Sequence, residues 1–422
     1  MPPTPEANGS GVGGDGGADG VMHAPLELAP ENVFAHTVLY NERCTKGWTN
    51  VYDRPVEYTV EMYHGLLDVE NSVLATRYMP EGGMRRRFLV VDKTVHELYG
   101  DAIARYFAHH KVQIKVVVLP GEEENKHLDA VMQVLDALCE FGLHRREPIL
   151  AIGGGVVLDI TGFVASMYRR GVPYIRVPTT LLGIVDASVG VKTGVDYKSP
   201  RDGTPLKNRV GAFYAPIAAF LDKRFIATQD TRNVINGLGE IMKLALVRSP
   251  ELFGLIEKHG ARLVKERFQS DDGVADRVIE ISIQTMLEEL GPNLWEFKLE
   301  RCVDYGHSFS KIIEFESAPP LMHGEAVNVD GFFCVVLSLM RGWISEPLCL
   351  RILAVMRQLG LPVFDASMTL PNLARACSDA LEHRHGQLRM PLVRNAIGEY
   401  GFVNELSEDE LERAIAWIRT HL

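Results

Sequence analysis

Between Arg87 and Asp222 the chain alternates short apolar runs with longer amphipathic stretches. Phe88-Leu89-Val90-Val91 ends on Asp92, and Gln113 to Leu119 is rich in β-branched residues and stopped by Pro120. Pro148 to Ile152 runs into three glycines, and Tyr174 to Pro178 is a further run of this kind. Each reads as a short strand. Between them lie helical periods, such as His127 to Phe141 with apolar residues at Leu128, Val131, Met132, Val134, Leu135 and Leu138. Strands alternating with helices of this length predict βαβ units and a parallel sheet, hence an α/β fold. After Ala218 to Asp222 the strand signal fades. Amphipathic stretches at 233–246, 273–290, 327–341, 346–359 and 408–421 predict a mostly helical second half. The pattern divides the chain into residues 25–222 and 223–422. Residues 1–24 read as a disordered tail, since the first twenty hold seven Gly and three Pro and almost no large apolar residue.

Composition narrows the class without naming a chemistry. The 422 residues carry 44 Lys plus Arg against 55 Asp plus Glu, a formal net charge of -11. That balance argues against a nucleic-acid surface, which needs clustered cations. No apolar run is long enough for a membrane span, and the N-terminus lacks a basic segment leading into an apolar core. Six scattered cysteines without a CxxC fit a reducing cytoplasm and exclude a cysteine-based zinc knuckle.

Three groups of residues could carry chemistry. Gly153-Gly154-Gly155 sits between a predicted strand and a helix over 156–167 that contains Asp159, where free amides and the helix dipole favour a phosphate. The spacing is not GxGxxG, so a plain tight turn explains it equally well. Asp92 at a strand end could hold a ribose, and Glu123-Glu124-Asn125-Lys126 could be no more than a polar helix start. The second group runs from Tyr168-Arg169-Arg170-Gly171 through Thr179-Thr180 and Asp186 to Lys192, with Lys207-Asn208-Arg209 just beyond. Small residues, hydroxyls, an acid and cations at this density point to a ligand pocket that holds a phosphate. The third group is Glu240, His307 and His323, one carboxylate and two imidazoles, which would leave tetrahedral zinc an open position. Spacing alone does not separate that set from unrelated histidines among fourteen.

Together these segments resemble the dehydroquinate synthase-like sugar phosphate cyclases from about residue 55 to 420. The resemblance rests on Gly-Gly-Gly-x-x-x-Asp, Arg-Arg-Gly-x-x-Tyr-x-Arg-x-Pro-Thr-Thr-Leu, Asp-Ala-x-x-Gly-x-Lys-Thr-Gly, Lys-Asn-Arg-x-Gly, Gly-x-x-Glu-Ile-x-Lys, Tyr-Gly-His-Ser-Phe and His-Gly-Glu-Ala-Val. Pro292 to Glu296, His383-Arg384 and Phe402-Val403-Asn404 resemble the branch that cyclises sedoheptulose 7-phosphate. The resemblance implies a Rossmann-like NAD-binding domain with a parallel sheet and a mainly α-helical metal-binding domain. It implies Zn2+, with Co2+ as a substitute, on Glu240, His307 and His323. It implies NAD on Asp92, Glu123, Glu124, Asn125, Lys126, Gly154, Gly155, Val156, Asp159, Thr179, Thr180, Lys192 and Lys207. Asp186, Lys192, Asn208 and Lys243 would be catalytic, and Lys207 and Arg170 would hold the substrate phosphate, Arg170 from the partner of a homodimer. The implied reaction is a carbon–oxygen lyase sequence of transient oxidation by NAD, phosphate elimination, re-reduction and intramolecular aldol closure, with no net redox change.

Departures from the family pattern bear on the product. Lys311 stands where the shikimate enzyme has a second histidine and the valiolone- and gadusol-forming enzymes usually have proline. Phe213-Tyr214, Gly239, His385 and Asp196 also replace usual residues, and Ser199 to Leu206 looks like a small insertion. Glu325 stands where the desmethyl-4-deoxygadusol synthases usually have histidine. These departures favour 2-epi-valiolone as product, with 2-epi-5-epi-valiolone as the alternative. Desmethyl-4-deoxygadusol synthase, 3-dehydroquinate synthase and an iron-type alcohol dehydrogenase are weaker readings. A non-catalytic sugar-phosphate binder should lack one of Glu240, His307 and His323, and all three are present.

Overall fold

The computed structural model describes residues 55–422 except 83, 202 and 204, together with two short strands further upstream. Those strands, β1 (Ala35–Thr37) and β2 (Trp48–Asn50), pair antiparallel within a unit spanning residues 1–56. The predicted tail at 1–24 lies outside the described residues.

Residues 57–422 form the second unit. Its first half contains β3 (Thr59–Met62), the short α1 (Val73–Thr76), β4 (Arg86–Asp92), α2 (Lys93–His109), β5 (Gln113–Leu119), α3 (Leu128–Phe141), β6 (Ile149–Gly153), α4 (Gly155–Met167) and β7 (Tyr174–Pro178). It continues with β8 (Lys192–Lys198), β9 (Pro205–Phe213) and β10 (Ala218–Leu221). Six strands make one parallel sheet in the order β3-β10-β7-β6-β4-β5. Phe88 and Val90 pack into one apolar cluster with α3 and α4, while Leu89 and Val91 pack into another with α2. Helices cover both faces, which is why these strands read as unbroken apolar runs rather than alternating ones. Asp92 caps α2 by accepting the Val95 N–H, and Gly142 (φ 64°) closes α3 in the left-handed conformation. The antiparallel hairpin β8–β9 was not predicted, because its small and polar residues show neither helical nor strand period. The suspected insertion at 199–206 starts just after β8 and ends within β9, where Pro205 pairs with Lys198 and Leu206 with Tyr197.

The second half holds α5 (Thr231–Val247), α6 (Pro250–Lys265), α7 (Val274–Leu290), α8 (Ser310–Glu316), α9 (His323–Met340), α10 (Glu346–Gln358) and α11 (Leu370–His383). A hairpin of β11 (Met390–Arg394) and β12 (Ala396–Val403) and a last helix, α12 (Glu408–His421), complete it. Asp230, Ser249, Thr369 and Ser407 cap α5, α6, α11 and α12 through their side chains. Helix α9 is buried along nearly its whole length and forms the spine of this half. It approaches α5 so closely that a Cβ on Gly239 would lie 2.1 Å from the Gly324 carbonyl oxygen, and one on Gly324 would lie 1.9 Å from that of Asn236. Glycine at 239 and at 324 is what this contact requires.

Candidate active site

The carboxyl ends of β4, β6 and β7 bring together the first group of candidate residues. Asp92 ends β4, Gly154 and Gly155 open α4 after β6, and Thr179 and Thr180 follow β7. A Cβ on Gly153 would meet Asp92 Cβ at 2.9 Å and Val157 Cβ at 3.0 Å, so this turn tolerates little beyond glycine. Val156 is buried in the first turn of α4. The edge of a parallel sheet outside its carboxyl ends is where dinucleotides dock in such folds. Thr179 Oγ1 is buried there without a hydrogen-bond partner, a vacancy suited to a ligand. Glu123, Glu124 and Asn125 form a single helical turn after β5. Lys126 beyond it is buried, 2.6 Å from Asp159 and 2.7 Å from Asn208 Oδ1. Asp159 therefore has a structural partner of its own. Asn208 (φ 51°), within β9, also donates its backbone N–H to Asp196 Oδ1 at 2.7 Å, so Asp196 shapes the irregular part of the β8–β9 ladder that presents it.

The second half supplies the metal-ligating set. Glu240 projects from α5, His307 lies in the turn before α8, and His323 is the first residue of α9. Glu240 Oε1 lies 3.4 Å from His323 Nε2 and 3.7 Å from His307 Nε2, and one ligand atom from each residue falls within 4.8 Å of the others. His307 Nδ1 faces the Tyr305 carbonyl at 2.9 Å, and His323 Nδ1 faces Glu314 Oε2 at 3.4 Å. Both imidazoles thus carry their proton on Nδ1 and turn an Nε2 lone pair inward, the orientation metal-bound histidines need. Burial and the Lys243 charge hold His307 well below the usual imidazole range, so it is neutral. Burial pushes the Glu240 carboxyl up, but the Lys243 charge and its hydrogen bond outweigh it and keep it below the usual range. Glu240 Oε1 has no hydrogen-bond donor although it is buried. A buried carboxylate oxygen and two inward lone pairs without a donor fit a divalent cation, and the His2Glu donor set suits zinc.

Lysines and acids join the two groups. Lys243 is buried, 2.5 Å from Glu240 Oε2 and 4.0 Å from Asp186 Oδ1 in the turn 183–187. Lys207 bridges Glu123 of the first half at 3.2 Å and Glu314 of the second at 2.5 Å. Burial pushes Glu314 up, yet hydrogen bonding to His323 and the Lys207 charge hold it at about 2. Lys192, largely exposed, pairs with Glu296 at 2.9 Å, and Glu296 also meets Arg301. Partial burial and the charges of Arg384 and Lys192 push Lys311 down. Arg170 is not brought here within one chain. It is exposed at the opposite end of α4, about 20 Å along the helix from Gly155. His385 is exposed with φ 56°.

Sequence reasoning missed Glu314, Arg301 and Asp304, and met Glu296 only as the end of a branch motif. It also missed Asp330 and the Arg232–Glu325 pair that holds the start of α9 at 2.7 Å. A signal existed for Asp330, a lone acid in the apolar run Ala326 to Leu337. None existed for the others, which are charged residues in charged surroundings. Among the described residues, no helix is long and apolar enough to cross a membrane.

Comparison with known proteins agrees with this geometry. Models of the 3-dehydroquinate synthase N-terminal and C-terminal regions match residues 116–236 and 237–380. A 2-epi-5-epi-valiolone synthase from Actinomyces sp. is 46% identical over 378 residues, covering 88% of this chain and 97% of the relative. The 2-epi-valiolone synthase of Actinosynnema mirum is 33% identical over 84% of this chain and 91% of its own. The solved 2-epi-5-epi-valiolone synthase of Streptomyces hygroscopicus subsp. jinggangensis 5008, with NAD+ and Zn2+ bound, superimposes with a TM-score of 0.83 at 42% identity. It covers 89% of this chain and all of that one. Similarity therefore favours the alternative product over the 2-epi-valiolone expected from the departures. The chain belongs to the 3-dehydroquinate synthase family, in its sedoheptulose 7-phosphate cyclase branch.

Proposed function

We propose that this chain is a carbon–oxygen lyase that converts sedoheptulose 7-phosphate to 2-epi-5-epi-valiolone with release of phosphate. The observation that carries the reading is the Glu240–His307–His323 set with Lys243 against Glu240, in a chain 46% identical to a synthase of that name. When bound, NAD supplies a reversible hydride acceptor and the metal, zinc or cobalt, supplies Lewis acidity. Asp92, Glu123 to Lys126, Gly154 to Val156, Asp159, Thr179 and Thr180 would hold NAD, and Glu240, His307 and His323 the metal. Lys243 keeps Glu240 ionised and sets a fixed positive charge and a proton donor beside Asp186. Lys192, Lys207 and Asn208 orient the sugar phosphate. Lys207 would exchange a carboxylate partner for the phosphate as substrate enters, a swap between charge-assisted bonds of similar strength. Residues 25–222 form the cofactor half of this reading and 223–422 the metal half. Arg170 is assigned to the partner's site in a homodimer, and the cytoplasm, where NAD and sugar phosphates are found, is the place of action.

Incubating the enzyme with sedoheptulose 7-phosphate, NAD and a divalent metal, and identifying the product by NMR, tests the reading. It predicts 2-epi-5-epi-valiolone. Formation of 2-epi-valiolone alone would overturn the product and leave the cyclase class standing.

A further inference from the structure

Asp330 lies two turns along α9 from His323, and every residue from Gly324 to Ser338 is buried. A carboxylate in such surroundings is costly unless it is fully hydrogen-bonded. One of its oxygens, Oδ2, accepts the backbone N–H groups of Phe309 at 2.6 Å and Ser310 at 2.9 Å. The other, Oδ1, receives Cys334 Sγ at 3.5 Å. Phe309 and Ser310 follow His307 and begin α8. On the other side of His307, Tyr305 donates its hydroxyl to the Gly331 carbonyl at 2.6 Å. Gly306 between them takes φ 71°, and a Cβ there would lie 2.6 Å from the Val327 carbonyl oxygen. The His307 turn is therefore pinned to α9 before and after the histidine. Since His323 is the first residue of α9, one helix places both imidazoles. It carries His323 directly and holds His307 through the pinned turn.

We infer that Asp330, with the Tyr305 hydroxyl opposite it, is a positioning residue that sets the His307 imidazole relative to His323 and so fixes the geometry of the metal site. The inference rests on the metal reading above. Asp330 touches neither the ligand atoms nor any reacting group. Its contribution is to remove freedom from a ligand that would otherwise ride on a mobile turn. Groups that orient metal ligands from behind typically carry a 10–100-fold share of affinity, roughly the loss expected here.

The test compares Asp330→Leu, Asp330→Asn, Tyr305→Phe and Val336→Ala in the full-length protein. The readouts are zinc affinity by chelator competition, the visible absorption of the cobalt-loaded protein, and thermal melting. D330N keeps one oxygen for both amides and offers an amide to Cys334, so it should retain wild-type zinc affinity and cobalt spectrum. D330L should weaken zinc about 10–100-fold and alter the cobalt spectrum. Y305F, which loses only the opposite anchor, should alter the spectrum and weaken zinc several-fold. That variant decides the matter if D330L fails to fold. V336A, buried on the same helix, should lower the melting temperature and leave both metal readouts unchanged. Should D330L or Y305F melt early while keeping wild-type zinc affinity and cobalt spectrum, Asp330 is an ordinary core residue and the inference fails. Failure of the wild-type protein to bind either metal would overturn the metal reading itself.

Discussion

The cofactor side and the metal side of this site are made of different materials. At the sheet edge the groups proposed to recognise the cofactor are backbone amides and small side chains, Gly154, Gly155, Thr179 and Thr180, brought together by strands β4, β6 and β7. At the helical side they are charged side chains, Glu240, His307, His323 and Lys243, sunk among helices and held by other side chains. Added atoms should therefore injure the first, and removed atoms the second.

The largest expected effect follows from removing a ligand. Glu240→Gln or His323→Ala should lower phosphate release by about a thousandfold or more and abolish stoichiometric metal, measured by elemental analysis. Full activity in either variant would sink the metal assignment. Lys243→Met should come next. It leaves Glu240 buried without its cation, a loss of about 3–5 kcal/mol that denaturant unfolding of the metal-free protein would read. A midpoint equal to wild type would mean that Glu240 is not ionised. Gly153→Ala is the converse probe at the sheet edge. Its Cβ would press on Asp92 and Val157, so NAD affinity by calorimetry should fall about tenfold while zinc affinity stays fixed. Equal losses in both would erase the contrast between the two sides.

The smallest effect lies far from the site and separates stability from function. Arg86 grips Glu147 through two bonds of 2.9 and 2.8 Å. Burial pushes the Glu147 carboxyl up, but bonding to Arg86 and the His144 amide brings it below its ordinary value of 4.5. An acid whose pKa is lowered by folding adds stability above the unfolded value and loses it as pH falls through the folded one. Unfolding free energy should thus drop on acidification below pH 5, and Glu147→Gln should flatten that step. A step unchanged in the variant would assign it to other carboxylates.

This contrast also governs what the sequence could reveal. The sheet edge was legible because strand–glycine–helix is a local pattern, and β4 to β7 and helices α3 and α4 fall within two residues of their predicted bounds. In the helical half α5, α7, α10 and α12 followed their apolar period. Helix α9 was predicted to start at 327 and starts at His323, because Gly324 and Glu325 interrupt the period that its buried position does not require. The metal set was visible only as a list of ligand types, since Glu240 and His323 are 83 residues apart in sequence and meet through α5 lying on α9. Lys207, expected on the phosphate, also links Glu123 to Glu314, a pairing that no local spacing encodes. The residues behind the ligands, Glu314 and Asp330, act through contacts that exist only after folding.

The central claim is that cofactor and metal halves together carry out a cyclisation without net redox change. Phosphate release from sedoheptulose 7-phosphate, followed together with NADH absorbance in the metal-loaded enzyme, tests it most directly. The account predicts one phosphate per substrate consumed and no accumulation of NADH. NADH rising in step with substrate loss, without phosphate, would contradict it and make the chain a dehydrogenase.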